Sequence, residues 1–223
     1  MRGTTGEGTA AQGLLDALPE AAGAAPAVAA PPVGPLTPPT AAPAGAAPLE
    51  PAALGPAAAG GRDGRDGHGH PAVAATSRAL ADLGATGRVV LLPADVRGPA
   101  RVALHLGVPA GAVARSTLLR APDGHPLLVL ASSAHDLCAP LLAAVLGLPG
   151  LEEAGEAESV RRTGSVLGSA SPLGLAEPLP TYVDVTLALH RVVWVPAGHP
   201  RALFPTRYDE LLRMACAHPV ETG

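Results

Sequence analysis

The 223-residue sequence predicts one mixed α/β domain, of the α+β or mixed-sheet kind, over residues 70–223, preceded by a low-complexity extension over 1–69. Three observations carry this. The first seventy residues hold no Phe, Tyr, Trp, Ile or Lys, and runs such as AAGAAPAVAAPPVGPLTPP offer nothing bulky enough to offset a backbone ordering cost of about 1–2 kcal/mol per residue, so 1–69 is expected to be disordered. The four aromatics (Tyr182, Trp194, Phe204, Tyr208) lie in the last quarter, and the Val/Leu-rich runs begin only at RVVLLP. Beyond that point strand-length and helix-length apolar patterns mix without strict alternation, which argues against a doubly wound parallel sheet.

HPAVAATSRALADLG predicts a first helix, with Val73, Leu80 and Leu83 near helical spacing and a stop at Gly84. RVVLLP, from Arg88 to Pro93, is a short apolar run that predicts a buried strand. RGPARVALHLG predicts a second helix ending at Gly107, with Val102, Leu104 and Leu106 around Ala103. RSTLLRAPDGHPLLVLA predicts a hairpin about the turn Pro122-Asp123-Gly124. DLCAPLLAAVLGL, 136–148, predicts a third helix with Leu137, Leu141, Leu142, Val145 and Leu146 facing in and Cys138 in the core. LEEAGEAESVRR is a solvated helix or loop. Strands follow at TYVDVTLAL and RVVWVPAG, and TRYDELLRMACA closes as an amphipathic helix.

Charge and motifs exclude several chemistries. The formal net charge is −4, and all 15 basic residues are arginines. Three arginines against six acids lie in 1–69 and twelve against thirteen in the rest, so the domain stands at −1 and any nucleic-acid contact must be local. Without lysine there is no P-loop, and GxGxxG, GxSxG and HExxH are absent. None of the eight histidines pairs with a CxxC, so no metal ligand set and no cofactor site is expected. RDGRDGHGH, 62–70, has metal-binding residue types but glycine spacing that leaves no rigid scaffold. Cys138 and Cys216 are expected to be reduced thiols in a cytoplasmic protein without a signal peptide, and no apolar run reaches the roughly 18 residues of a membrane span.

GSASPLG, 168–174, remains. In Gly168, Ser169, Ala170, Ser171 and Pro172 small side chains let a substrate approach main-chain N–H groups, while Pro172 stiffens the exit; the same residues also suit a plain tight turn.

The order ALHLGVPAGAVARSTLLR, LLVLASSAHDLCAPLLAAVLGL, TGSVLGSASPLG, LPTYVDVTLAL and VVWVPAGHPRALFPT resembles the YbaK and ProX family of aminoacyl-tRNA editing domains, over roughly Pro71 to Pro219. The resemblance implies a mixed, strongly curved, barrel-like sheet surrounded by helices. It implies a hydrolase that cleaves the ester of a mischarged tRNA, prolyl-tRNA editing in type, needing no metal or organic cofactor, with tRNA and an aminoacyl-tRNA synthetase as partners. The family's GxxxP loop cradles the aminoacyl carbonyl and matches Gly168, Ser169, Ala170, Ser171 and Pro172, with Gly174 closing the extended pattern. The family lysine falls, counting from Gly107, on Arg115, followed by Ser116; a one-residue shift would put Ser116 in its place. Arginine keeps the charge but exchanges no proton near neutral pH. Asp184 matches an acidic position near the family's pocket, or is a strand-edge aspartate facing water. His199 matches a histidine of part of the family, at the rim, or is a surface loop residue. Two other readings stay open: a binding module that holds an aminoacyl or adenosine group without turnover, and a hydrolase of small aminoacyl esters unrelated to tRNA.

Overall fold

The computed structural model describes residues 69–223; the expected disorder of 1–69 and the 62–68 part of the Asp/His tract lie outside the described residues, save Gly69. The architecture is a mixed α/β domain. Helix α1 (Pro71–Asp82) starts with Pro71, whose fixed φ suits a first helical position, and buries Val73, Thr76 and Leu80 on one face. The chain turns at Gly84, φ 65°, into strand β1 (Val90–Leu91), shorter than expected and only half-buried. Helix α2 (Pro99–Leu106) runs from Gly98, φ 79°, to Gly107, φ 67°. Strands β2 (Ala114–Arg120) and β3 (Pro126–Ser132) form the expected antiparallel hairpin, paired from Ala114↔Ser132 to Arg120↔Pro126. Helix α3 (Ala139–Val145), strand β4 (Glu152–Glu153) and helix α4 (Glu156–Thr163) follow, with the last carrying acids in its first turn and arginines in its last, as the helix dipole favours. Then come β5 (Thr181–Asp184), a 3-10 turn at 185–189, β6 (Val193–His199), β7 (Ala202–Thr206), α5 (Tyr208–Met214) and β8 (His218–Val220).

These strands make two sheets, in the orders β4-β2-β3-β5-β8 and β1-β7-β6. The first is mixed: β2 runs antiparallel to β3 and β4, whereas β5 runs parallel to β3 and to β8. A parallel bridge, Val113↔Trp194, joins the two, so the implied barrel-like curvature is present as two sheets that meet and not as a closed barrel. Strand β3 is the middle of the larger sheet and is buried on both faces, which is why PLLVLA reads as a continuous apolar run. Its side chains alternate as a strand requires. Val129 packs with Leu119, Leu142 and Val220, while Leu130 packs with Val73, Val183, Phe204 and Leu211. A third cluster, Leu92, Val102, Val113, Trp194 and Leu203, fills the space under α2.

Several inward assignments are corrected. Leu104 is 83% exposed, because it sits about 200° round the helix from Val102. Leu141 and Val145 are exposed, since the short α3 buries only Leu142 and Ala143. Cys138 is exposed too: the helix begins at Ala139, which leaves Cys138 on the residue before it and off the packed face. Cys216 is also a free, exposed thiol. Among the described residues no helix is long and apolar enough to cross a membrane.

Candidate functional site

A cavity of about 240 Å³ opens where the two sheets meet. Gly98, Pro99 and Val102 of α2 lie on one side, Val113–Arg115 at the entry to β2 on another, and Leu167–Ser169 on a third; residues 196–203 of β6 and β7 complete it. Most of this lining is backbone and small apolar side chain. The ionisable lining residues are Arg115 and His199.

The glycine loop is held from three directions. Gly168 pairs with Ser116 through an antiparallel bridge, so the loop lies along the outer edge of β2. The carbonyl of Ser169 accepts from Gly198 N on β6 at 2.8 Å. Leu173 enters the main core beside Val73 and Leu80. Gly174, φ 70°, closes against α1, where a Cβ would stand 2.6 Å from the carbonyl of Ala75. Gly168 differs. Its φ is 78°, yet a Cβ there would meet no atom within 4 Å, so its open side is space. Both loop hydroxyls are used internally: Ser169 Oγ donates to Val166 O at 2.7 Å, and Ser171 Oγ accepts from Leu173 N at 3.1 Å. Ala170, Ser171 and Pro172 are buried behind the cavity lining.

Arg115 lines the cavity, and its Nη2 lies 3.5 Å from both Asp136 Oδ1 and His135 O. Asp136 is almost fully exposed, so this pair contributes at most about 1 kcal/mol and leaves the guanidinium easy to redirect. Ser116, next on β2, is buried with Oγ lacking a hydrogen-bond partner; its main chain is what meets Gly168. His199 ends β6, and its Nδ1 accepts from Arg201 N at 3.2 Å. Burial pushes its pKa down, helped by His70, whose ring centroid is 5.6 Å away, and by Arg201. The neutral ring therefore carries its proton on Nε2, as a donor.

Asp184 stands apart from the cavity lining. It is fully buried, and its carboxylate accepts from Ser132 N (3.0 Å), Thr186 N (2.9 Å) and Thr222 Oγ1 (2.8 Å), with His135 Nε2 at 2.8 Å. Burial alone would push the carboxyl up, but these donors outweigh it and hold the pKa below the usual value. The structure thus brings Arg115, Gly168, Ser169 and His199 together, and places Ser116, Ala170, Ser171, Pro172, Gly174 and Asp184 in the supporting layers. Sequence reasoning predicted helix α2 but not its part in the cavity, and missed β7 altogether: Pro99, Val102 and Leu203 line the cavity with ordinary apolar side chains, which carry no chemical signature. No group of three or more His, Cys, Asp or Glu that could hold a metal exists among the described residues.

The profile of the aminoacyl-tRNA editing domain matches residues 93–214. A solved structure described as a candidate trans-editing enzyme for prolyl tRNA synthetase is 31% identical, with a TM-score of 0.64, over 68% of this chain and 96% of that one. A hypothetical protein, 22% identical with a TM-score of 0.61 over 66% of this chain and 98% of its own, shares the fold. The proline–tRNA ligase of Geobacter sulfurreducens is 39% identical over 79 residues, which are 35% of this chain and 14% of the ligase. With the profile spanning more than half of the sequence and a mixed α/β fold to match, the chain belongs to the aminoacyl-tRNA editing domain family.

Proposed function

We propose that the protein is a trans-editing deacylase that hydrolyses the ester between a small, wrongly attached amino acid and the 3′ ribose of a tRNA, in the compartment where tRNAs are charged. One observation carries this: Gly168, at which a side chain would meet no atom within 4 Å, lines the same cavity as Arg115 and His199. A volume of about 240 Å³ is below the roughly 300–1,000 Å³ of sites for drug-sized ligands, which favours a small acyl group.

In this reading water adds to the ester carbonyl carbon, the carbonyl oxygen becomes an oxyanion against the main chain at Gly168 and Ser169, and the bond to the ribose oxygen breaks. The amino acid leaves as a free carboxylic acid and the tRNA regains its hydroxyl. Donors placed for such an oxyanion are each worth about 10²–10³ in rate. Arg115 holds a phosphate or ribose oxygen of the terminal adenosine, and a neutral His199 presents Nε2–H at the rim. Asp184 acts from behind, fixing Ser132 and His135 and through them the segment that carries Asp136, the partner of Arg115. The tRNA's own terminal hydroxyl positions the water, in keeping with a cavity that has no carboxylate in its lining among the described residues.

The weak hold on Arg115 favours one alternative, a binding module weakened in catalysis by the exchange of lysine for arginine. A panel of mischarged tRNAs, given to the wild type and to Arg115→Lys, separates the two. Release of alanine or another small residue by the wild type supports the deacylase. Turnover only after Arg115→Lys makes the natural protein a binder, and no turnover by either overturns the enzymatic reading.

A further inference from the structure

A second cavity, of about 290 Å³, lies between residues 188–191 and the start of α5 and is lined by His190, Arg191, Arg207, Tyr208 and Asp209 among others. Its charge is unusual for a lysine-free domain of net charge −1. Two guanidinium groups face one carboxylate. Arg191 is exposed and has no ion-pair or hydrogen-bond partner among the described residues. Arg207 meets Asp209 through Nε at 3.4 Å, which leaves its two terminal nitrogens available for a bidentate contact. Tyr208 forms a partly buried wall, its ring packed on the main core and its hydroxyl buried, whereas Leu189 is 82% exposed, an apolar surface that no described residue covers. Paired cationic forks suit the phosphates of a polynucleotide backbone, which each guanidinium can meet through two donors.

The two cavities are neighbours along the chain. His190 Nε2 lies 2.7 Å from where a Cβ of Gly111 would stand, so its ring rests on the 110–112 turn. Val113, at most about 7 Å further along the backbone, already lines the first cavity.

We propose that the cleft of His190, Arg191, Arg207 and Tyr208 is a second contact for the substrate RNA, in which the two arginines take a backbone phosphate a few nucleotides before the aminoacylated 3′ end. This rests on the deacylase reading for the identity of the RNA. It supplies the local positive charge that such a partner needs and that the domain as a whole lacks.

The test is a fluorescence-anisotropy titration of the full chain with uncharged tRNA over a range of salt concentrations, on the wild type, Arg191→Glu and the double variant Arg191→Ala/Arg207→Ala. Arg191→Glu changes an exposed, unpartnered side chain, so folding is not at risk. It should weaken binding about tenfold and lower the slope of log affinity against log salt by about one. Hydrolysis of a 3′-aminoacyl-adenosine ester, which has no phosphate, should be unchanged. Equal tRNA affinity in wild type and Arg191→Glu, or no tRNA binding by the wild type, overturns the proposal; so does an equal loss of activity on the adenosine ester, which would move Arg191 into the first cavity. If the wild type hydrolyses no ester while Arg191→Glu still loses tRNA, the cleft stands and the deacylase reading falls.

Discussion

Gly168 and Gly174 stand six residues apart with nearly equal positive φ, and they do opposite jobs. At Gly168 a side chain meets nothing in the protein, so Gly168→Val should cost only the backbone strain of about 1–2 kcal/mol while filling the space meant for substrate. Deacylation is expected to fall at least 10²-fold, with a melting temperature lowered by a few degrees. At Gly174 the added Cβ strikes the backbone of α1, which cannot give. Gly174→Ala should therefore destabilise by about 3 kcal/mol or more, with catalysis per folded molecule retained. Thermal melts beside turnover numbers separate the two, and equal melting points would refute the distinction. The motif itself was legible in the sequence, but the division of labour was not: which glycine touches α1 depends on contacts about a hundred residues away. His199 was legible only as a polar residue after a strand, because its tautomer is fixed by Arg201 N and its neutrality by burial and His70.

Among the elements, β5 ends in a latch. Asp184 ties it to the end of β3 through Ser132 N, to the following loop through His135, and to Thr222 just past β8. The partners lie 52 and 38 residues away, so TYVDV alone could not distinguish this carboxylate from one facing water. The folded-state pKa of Asp184 is depressed, so its stabilisation is fully present above the unfolded value of about 3.9 and is lost as pH falls through the lower, folded value. Asp184→Asn places an amide among donors and is expected to cost about 2 kcal/mol at pH 7. In urea unfolding the gap from wild type should narrow at pH 3; a gap that stays constant would show that the carboxylate's charge is not what holds the latch. Strands β7 and β8 were missed for a common reason. Pro205 and Pro219 sit inside them and remove a ladder donor, and proline in a short run argues against a strand. The long hairpin and helices α1, α2, α3 and α5 announced themselves because turn residues and apolar periodicity are local, whereas the charged α4 has no apolar stripe to separate a helix from a loop.

At the scale of the whole molecule, three apolar clusters drawn from Val73 to Val220 span both sheets and their helices. A chain beginning at Gly69 is accordingly expected to melt within about 2 °C of the full sequence, and a fall of more than about 5 °C in calorimetry would contradict it. Helix α1 has a place in this assembly that reaches past stability. It presses on Gly174 through Ala75 and on Gly198 through Ala72, and Gly198 in turn grips the carbonyl of Ser169. The floor of the cavity is thus clamped from beneath by alanines that leave no slack, whereas the walls, with Val102 and Leu203, are side chains free to be exchanged. On the proposed reading, resizing the walls alone changes which acyl group fits, whereas a methyl group too many on the hidden side of that floor lowers the share of folded molecules in every version at once.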